Sequence, residues 1–375
     1  MSQSVLVLGG YGNFGKRIVE NLASIQNITI YIAGRSASKA QACIDSLQSQ
    51  TQATLKGFII DIYAAEFEEQ LLRLSPDIVI HTSGPFQGQD YHVPKACIRA
   101  GSHYIDLADD RRFVCDIVEL NALAKQEGVL VVSGASSVPG VSSAVITYGK
   151  KLFTTIDSID IAIAPGNKAE RGIATLRGIL SYTGHPLRVF RNGDWGTVYG
   201  WMSPRAIDFG DSVGKRYLAN VDVPDLELFP KDFSVQNRVS FQAGLELPWL
   251  HYLMVLMAFI AKVKLVKNWS VFTKPIYQVS EHLKVFGSDK GAMRVIVRGD
   301  DLELKKTTFE WSLYAHNGIG PYIPTLSAII LTRKLLQGAE IKRGAMPCSA
   351  LFTLDEFMGL GQDLGIYSTE VITHG

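Results

Sequence analysis

The stretch VLVLGGYGNFGKRI, Val5 to Ile18, decides how the first third of the chain is read. It opens on four aliphatic or β-branched residues, Val5–Leu8, which suit a strand buried on both faces. The glycine-rich segment GGYGNFG follows, and from Gly12 to about Ser24 the apolar residues Phe14, Ile18 and Leu22 fall at helical spacing. Strand, glycine turn and helix in that order form the first half of a βαβ unit.

Working outward, the same alternation continues. Ile28–Ala33 reads as a second strand, closed by Gly34-Arg35-Ser36, and a polar helix spans about Ser38 to Ser49. Leu55–Asp61 gives a third strand and Asp77–Thr82 a fourth, after a helix that stops at Pro76. His103–Leu107 and Val129–Ser133 supply the fifth and sixth, with helices expected at Val93–Ala100 and Arg112–Gln126. Six strands alternating with helices predict an α/β, doubly wound Rossmann sheet, parallel and covered on both faces.

In that context the glycines have separate tasks. The fingerprint spacing falls on Gly10, Gly12 and Gly15. Gly10 would allow the tight turn out of the strand, Gly12 the approach of a pyrophosphate, and Gly15 the close contact of helix and strand. Residues Gly10, Tyr11, Gly12, Asn13, Phe14 and Gly15 therefore form a candidate phosphate loop, with the amides and dipole of the helix start favouring an anion.

The end of the second strand selects between dinucleotides. A site for NAD commonly carries Asp or Glu there, accepting from the ribose 2′-hydroxyl. Here the residues are Ala33-Gly34-Arg35-Ser36, with Lys39 one helical turn on. A guanidinium can hold a 2′-phosphate through two charge-assisted hydrogen bonds, and Ser36 can add a hydroxyl donor. NADP is the expected cofactor and NAD the second choice; the bland alternative makes Arg35 and Lys39 solvated charges. Asp61, at the end of the third strand, meets the adenine edge or caps the next helix, and the two roles can coexist.

The totals bound the function. A chain of 375 residues with 47% hydrophobic and 19% charged residues is long enough for two domains and can bury substantial cores. Lys+Arg 37 against Asp+Glu 36 leaves a net charge of +1, which argues against a general nucleic-acid binder. Cys43, Cys97, Cys115 and Cys348 show no metal-ligand or CxxC spacing, so reduced thiols and no metal site are expected. Met1-Ser2-Gln3-Ser4 has no charged and apolar leader, and a cytoplasmic protein is the expectation. Leu247–Trp269 is strongly apolar but interrupted by His251, and its apolar core is shorter than the roughly 20 residues of a bilayer span. It reads as a buried or interface helix, or as a surface helix flanked by Lys262, Lys264 and Lys267 that rests on lipid or a partner.

The fourth strand runs into HTSGPFQGQDYHVPKACIRAGSHYIDLADD, His81 to Asp110. Together with GGYGNFG, the AGRS turn, SGPF, ACIRAGSHYIDL and the later VPGVSSAV, this resembles the saccharopine dehydrogenase-like oxidoreductases. That family includes saccharopine reductases and the trans-acting enoyl reductases of lipid biosynthesis. The motifs cover about the first 150 residues in the right order. The resemblance implies NADP binding by Gly10 to Gly15 and the Arg35 turn, and nicotinamide-side contacts from Thr82, Ser83, Gly84 and Pro85. It does not name a substrate. Val138 stands before Pro139-Gly140 where amino-acid-acting relatives often carry an acid, and the distal half has no obvious match to their glutamate- and aminoadipate-binding part.

From about Ser137 the pattern changes to an α+β domain with a mixed or antiparallel sheet. Val141–Leu152 reads as a helix, Ser158–Ala164 as a strand, and Asn167 with Glu170 as the capping box of a further helix. Ala292–Arg298 and Glu303–Ala315 read as a hairpin, and Pro324–Leu336 as a helix able to carry the chain back to the first domain. The expected division is 1–136 for NADP, 137–320 for substrate and dimerisation, and 321–375 as a returning segment. Proton handlers at strand ends are Asp106, the first choice, and Tyr104 and His81, each of which also suits packing. Arg171 could hold a substrate anion or be merely solvated, and the loop residues His185 and His316 have weaker claims. The leading expectation is an NADP-dependent oxidoreductase acting on a small or lipid-like compound held between the domains of a homodimer. A non-catalytic NADP-binding regulator and a membrane-associated lipid-handling protein are the alternatives.

Overall fold

The computed structural model describes residues 3–49, 51–210 and 212–375, and the chain divides into two compact units. The first comprises residues 1–140 and 322–352, the second 141–321 and 353–375. The carboxyl-terminal segment is thus shared: 322–352 joins the first unit and the remainder the second.

The first unit is built on a seven-stranded, wholly parallel sheet. In spatial order its strands are Gly344–Pro347, Leu130–Ser133, His103–Asp106, Ile78–His81, Gln3–Leu8, Ile28–Gly34 and Thr54–Ile59. Val5, Leu6, Val7, Val79, Ile80 and Ile105 are fully buried, as strands sandwiched between helical layers must be. Chain order reverses between Gln3–Leu8 and Ile78–His81, and the crevice beyond a parallel sheet opens at such a reversal.

Local reality departs from the sequence pattern in three places here. The first helix is Gly15–Leu22, because Gly12 to Phe14 remain in the turn. The helix expected over Arg112–Gln126 breaks into Arg111–Cys115, a 3-10 turn Asp116–Leu120 and Asn121–Gln126; the Asp110 carboxylate caps the first by accepting from the Phe113 amide at 2.8 Å. The seventh strand, Gly344–Pro347, was not anticipated. Four residues bounded by Gly and Pro carry no periodic signal, and only pairing with Leu130–Ser133 makes them a strand. Helix Ile323–Leu336 leads to it, packed on Gly15–Leu22 and buried along its centre from Thr325 to Thr332.

The second unit is built on a mixed seven-stranded sheet. Its order is Arg205–Asp208, Lys215–Asn220, Arg238–Leu245, Thr155–Ala164, Gly291–Asp300, Lys306–Ala315 and Tyr367–His374. Only the pair Arg238–Leu245 and Thr155–Ala164 is parallel. One face is apolar and buried, with Ile159, Ile161, Val239, Val295, Val297, Phe309 and Trp311. The other carries Asp160, Arg238, Ser240, Gln242 and Arg298, as the two-residue period of a strand requires.

The hairpin Gly291–Asp300 and Lys306–Ala315 is present, but its second strand starts three residues later than expected. The Asp301 Oδ1 accepts from the Glu303 and Lys305 amides at 2.8 and 3.0 Å, which takes them out of the ladder. The helix expected from Asn167 begins instead at Ile173 with Gly172 as its N-cap. Asn167 is occupied elsewhere: its amide group donates to the Leu283 carbonyl at 2.8 Å, and its own carbonyls accept from Arg171. Among the described residues no helix is long and apolar enough to cross a membrane.

Candidate functional site

The carboxyl edge of the parallel sheet brings two loops side by side, 9–14 after the first strand and 82–91 after the fourth. The Thr82 hydroxyl donates to the Leu8 carbonyl at 2.8 Å, and the Thr82 amide to the same oxygen at 2.9 Å. This contact fixes the spacing of the loops. Gly9 is the residue with a left-handed backbone, φ 77°, and a Cβ there would lie 2.7 Å from the Thr82 hydroxyl oxygen. The tight turn expected at Gly10 is therefore made at Gly9, whose amide and that of Gly10 both donate to the Ala33 carbonyl.

Gly15 has the role its spacing implies. A Cβ on it would sit 2.2 Å from the Gly9 carbonyl oxygen, so only glycine lets the helix start this close to the turn. The side of Gly12 that a methyl group would occupy meets only the Gly9 oxygen, at 3.0 Å. Phe14 stands at the N-cap position with no side-chain cap, and among the described residues the amides of Asn13, Phe14 and Gly15 find no backbone acceptor. An uncapped helix start beside an open glycine backbone is a ready anion site. Arg17, itself buried, donates to the Asn13 carbonyl and to its Oδ1 and holds the turn from behind.

Tyr11 links this loop to the second-strand turn, a role the sequence pattern did not reveal. Its ring lies against Gly34, where a Cβ would come 2.4 Å from its hydroxyl oxygen, and that hydroxyl accepts from the Ser36 amide at 2.9 Å. Ser36 caps helix Ala37–Leu47 through the Lys39 amide. Arg35 and Lys39 are exposed at this end, and no carboxylate follows the second strand. Asp61 is half-buried and accepts from the Tyr63 amide at 3.1 Å. It does not cap the next helix, Phe67–Leu74, whose N-cap is Glu66.

On the other side of the crevice Thr82, Ser83, Gly84 and Pro85 are all half-buried. Gln89 braces them, donating to the Ser83 and Pro85 carbonyls at 3.0 and 2.8 Å. Beneath lies Phe86, whose ring centre is 5.0 Å from that of His81 and 5.2 Å from that of Phe113.

The three expected proton handlers are sealed in this floor. His81, Tyr104 and Asp106 each have 0% exposure. His81 Nδ1 and the Tyr104 hydroxyl are 3.0 Å apart, and burial pushes the imidazole down to about 3. Asp106 Oδ1 accepts from the Gly134 amide at 2.8 Å, the Ala108 amide at 2.9 Å and the Ser133 hydroxyl at 3.0 Å. Burial pushes this carboxyl up to about 6, against the opposing effect of those donors. Asp106, expected as the acid, thus ties together the loops that follow two neighbouring strands. All three of these bonds fall on Oδ1, while Oδ2 is buried without a hydrogen-bond partner among the described residues.

The distal candidates each make a hydrogen bond within the second unit. Arg171 clamps Asn167, His185 Nε2 pairs with the Lys267 carbonyl at 3.0 Å, and His316 Nε2 meets the Tyr367 hydroxyl at 3.1 Å. Cys97 and Cys348 are buried thiols, pushed well above the ordinary range by burial.

Residues 5–132 match the family described as the saccharopine dehydrogenase NADP binding domain. That segment of the chain is similar to a saccharopine dehydrogenase-type NADP-binding domain. The uncapped glycine loop and the basic, acid-free end of the second strand fit that cofactor on structural grounds. Among solved structures, the L-Glu-forming saccharopine dehydrogenase of Saccharomyces cerevisiae is similar at 13% identity, over 99% of this chain and 100% of that one, with a TM-score of 0.70. A probable dehydrogenase of Thermotoga maritima is 10% identical over 98% of each chain, with a TM-score of 0.45. No curated protein matches the chain in sequence. At such identities the yeast structure speaks to the fold.

Proposed function

We propose that this chain is an NADP-dependent oxidoreductase acting on a small or lipid-like compound. The observation that carries this is the arrangement at the chain reversal of the first unit. The open glycine loop faces the braced loop Thr82–Pro85, and Arg35 stands where an NAD site would present a carboxylate. Bound NADPH supplies the hydride. The chain's part is to hold the phosphates on the amides of Asn13, Phe14 and Gly15, to bind the 2′-phosphate with Arg35 and Lys39, and to position the nicotinamide side with Thr82–Pro85. Asp106 and Gln89 keep the loops of that edge in place.

The sealed state of His81, Tyr104 and Asp106 favours a second reading, a regulator that binds NADP without chemistry. One experiment separates the two. Thermal stabilisation by NADPH is measured first, followed by NADPH oxidation with keto acid, imine, enoyl and aldehyde substrates. Stabilisation with turnover on one class supports the oxidoreductase. Stabilisation with none supports the regulator, and no response to either dinucleotide defeats both.

A further inference from the structure

The second unit displays an apolar surface out of proportion to the rest of the molecule. Of 23 large apolar side chains exposed among the described residues, 12 lie between Trp249 and Phe286. Helix Pro248–Lys262 is the centre of this surface. Its inner face, with His251, Met254, Ala258 and Ala261, is buried in the unit. Its outer face consists of Trp249, Tyr252, Leu253, Leu256 and Phe259, continued by Val263 past the helix end, each 46–53% exposed. A surface helix ordinarily turns polar residues outward, so a helix apolar on both faces and open on one has an unmet partner.

The surface extends across the adjoining segment. The Trp269 indole donates to the Met257 carbonyl at 2.8 Å, which ties the turn Trp269–Phe272 to Pro248–Lys262; the helix Thr273–Leu283 that follows packs against Ile173–Tyr182. Val271, Val279, Val285 and Phe286 are exposed there at 59–73%. The same stretch, residues 248–290, carries Lys262, Lys264, Lys267, Lys274, Lys284 and Lys290 against Glu281 and Asp289, and the Lys262 ammonium lies over the Tyr199 ring, 4.2 Å from its centre. Glu281 and Lys284 are paired with each other at 2.6 Å, so Lys264, Lys267, Lys274 and Lys290 remain as the exposed cations.

We propose that this face docks on an anionic lipid surface, with the outer face of Pro248–Lys262 lying in the headgroup region. Three properties select lipid as the occupant. Trp249 and Tyr252 at one end of the stripe and lysines at the other are the side chains that suit a headgroup boundary, where long cationic chains reach outward to phosphate. The basic fringe complements an anionic leaflet. A second copy of this chain is disfavoured, since a two-fold interface would set the same basic fringe against itself with few carboxylates to answer it. At 15 residues the helix is too short to span a bilayer, so it lies along the surface.

The test is flotation of the full chain with vesicles of phosphatidylcholine containing about one third phosphatidylserine, beside vesicles of phosphatidylcholine alone. The expected result is flotation with the anionic vesicles, at least tenfold stronger than with neutral ones and weakened by salt. The double variant Leu256→Asp/Phe259→Asp should lower it at least tenfold, and Lys264→Glu/Lys267→Glu several-fold. All four positions are exposed, and circular dichroism with a thermal melt of each full-length variant reports that it remains folded. Equal behaviour of wild type and variants, absence of flotation, or a dimer in sedimentation that the Leu256→Asp/Phe259→Asp variant dissociates would each overturn the proposal.

Discussion

Two buried carboxylates, one in each unit, show how the same residue type is handled in opposite ways. Asp106 in the first unit meets only neutral donors, and burial pushes it up to about 6. Asp160 in the second unit, 6% exposed, also pays the desolvation penalty, yet its carboxyl lies below the usual range. The Ser240 hydroxyl donates to Oδ1, while Arg238 and Arg298 reach Oδ2 at 2.7 and 2.6 Å. The first organises backbone through Oδ1 alone and leaves Oδ2 without a partner. The second is the anion that makes three strands carrying two arginines compatible.

The largest effect expected on this comparison comes from Asp160→Ala, which leaves Arg238 and Arg298 facing each other without an anion. It should lower stability in denaturant unfolding by about 3 kcal/mol, and Asp160→Asn by nearly as much. Equal stability of Asp160→Asn and wild type would break the contrast. On the cofactor edge, Gly15→Ala forces a methyl group onto the Gly9 carbonyl and should weaken NADPH binding about a hundredfold by fluorescence titration. Unchanged affinity would show that the turn relaxes freely.

Asp106→Ala removes the acceptor of two amides and a hydroxyl and should lose about 2 kcal/mol. Asp106→Asn keeps an acceptor oxygen and should match or exceed wild-type stability at pH 7. The pH dependence has the opposite sign at the two sites. Because the Asp106 carboxyl is raised on folding, its contribution falls as pH rises between the unfolded value of 3.8 and about 6. Because Asp160 is lowered, its contribution is full above the unfolded value and is lost as pH falls through the folded one. Thermal unfolding across pH 3–7 should therefore show Asp106→Asn removing a decline toward neutral pH and Asp160→Asn removing a loss in acid. The smallest effect is expected from Arg35→Asp, an exposed position, which should shift the NADP to NAD affinity ratio about tenfold toward NAD. Equal affinities in the wild type would already refute the role of Arg35.

How much of this was legible depended on range. The glycine loop was legible because its spacing is set by contacts within about one turn of chain, such as Gly15 against Gly9. Even there the left-handed residue proved to be Gly9, since the fingerprint does not say which glycine takes the turn. The strands Gln3–Leu8, Ile78–His81 and Leu130–Ser133 were legible because sandwiched strands are nearly continuously apolar. The exposed edge strand Thr54–Ile59 was legible through its place in the strand–helix alternation. The seventh, Gly344–Pro347, was not, because its identity lies wholly in a pairing partner more than 200 residues away.

Asp106 illustrates the limit most clearly. A carboxylate at a strand end predicts chemistry only if it opens to the crevice, and the sequence does not state which amides will surround it. Asp160 gave no signal at all, since Arg238 and Arg298 reach it only across paired strands.

The sequence by itself determined the parallel sheet, the place of the glycine loop, and the basic, acid-free turn after the second strand, because these follow from local periodicity, spacing and charge. Tertiary structure alone decided which acids are sealed, which are paired, and which apolar residues of Pro248–Lys262 remain outside. Burial and pairing are properties of neighbours brought together from distant parts of the chain.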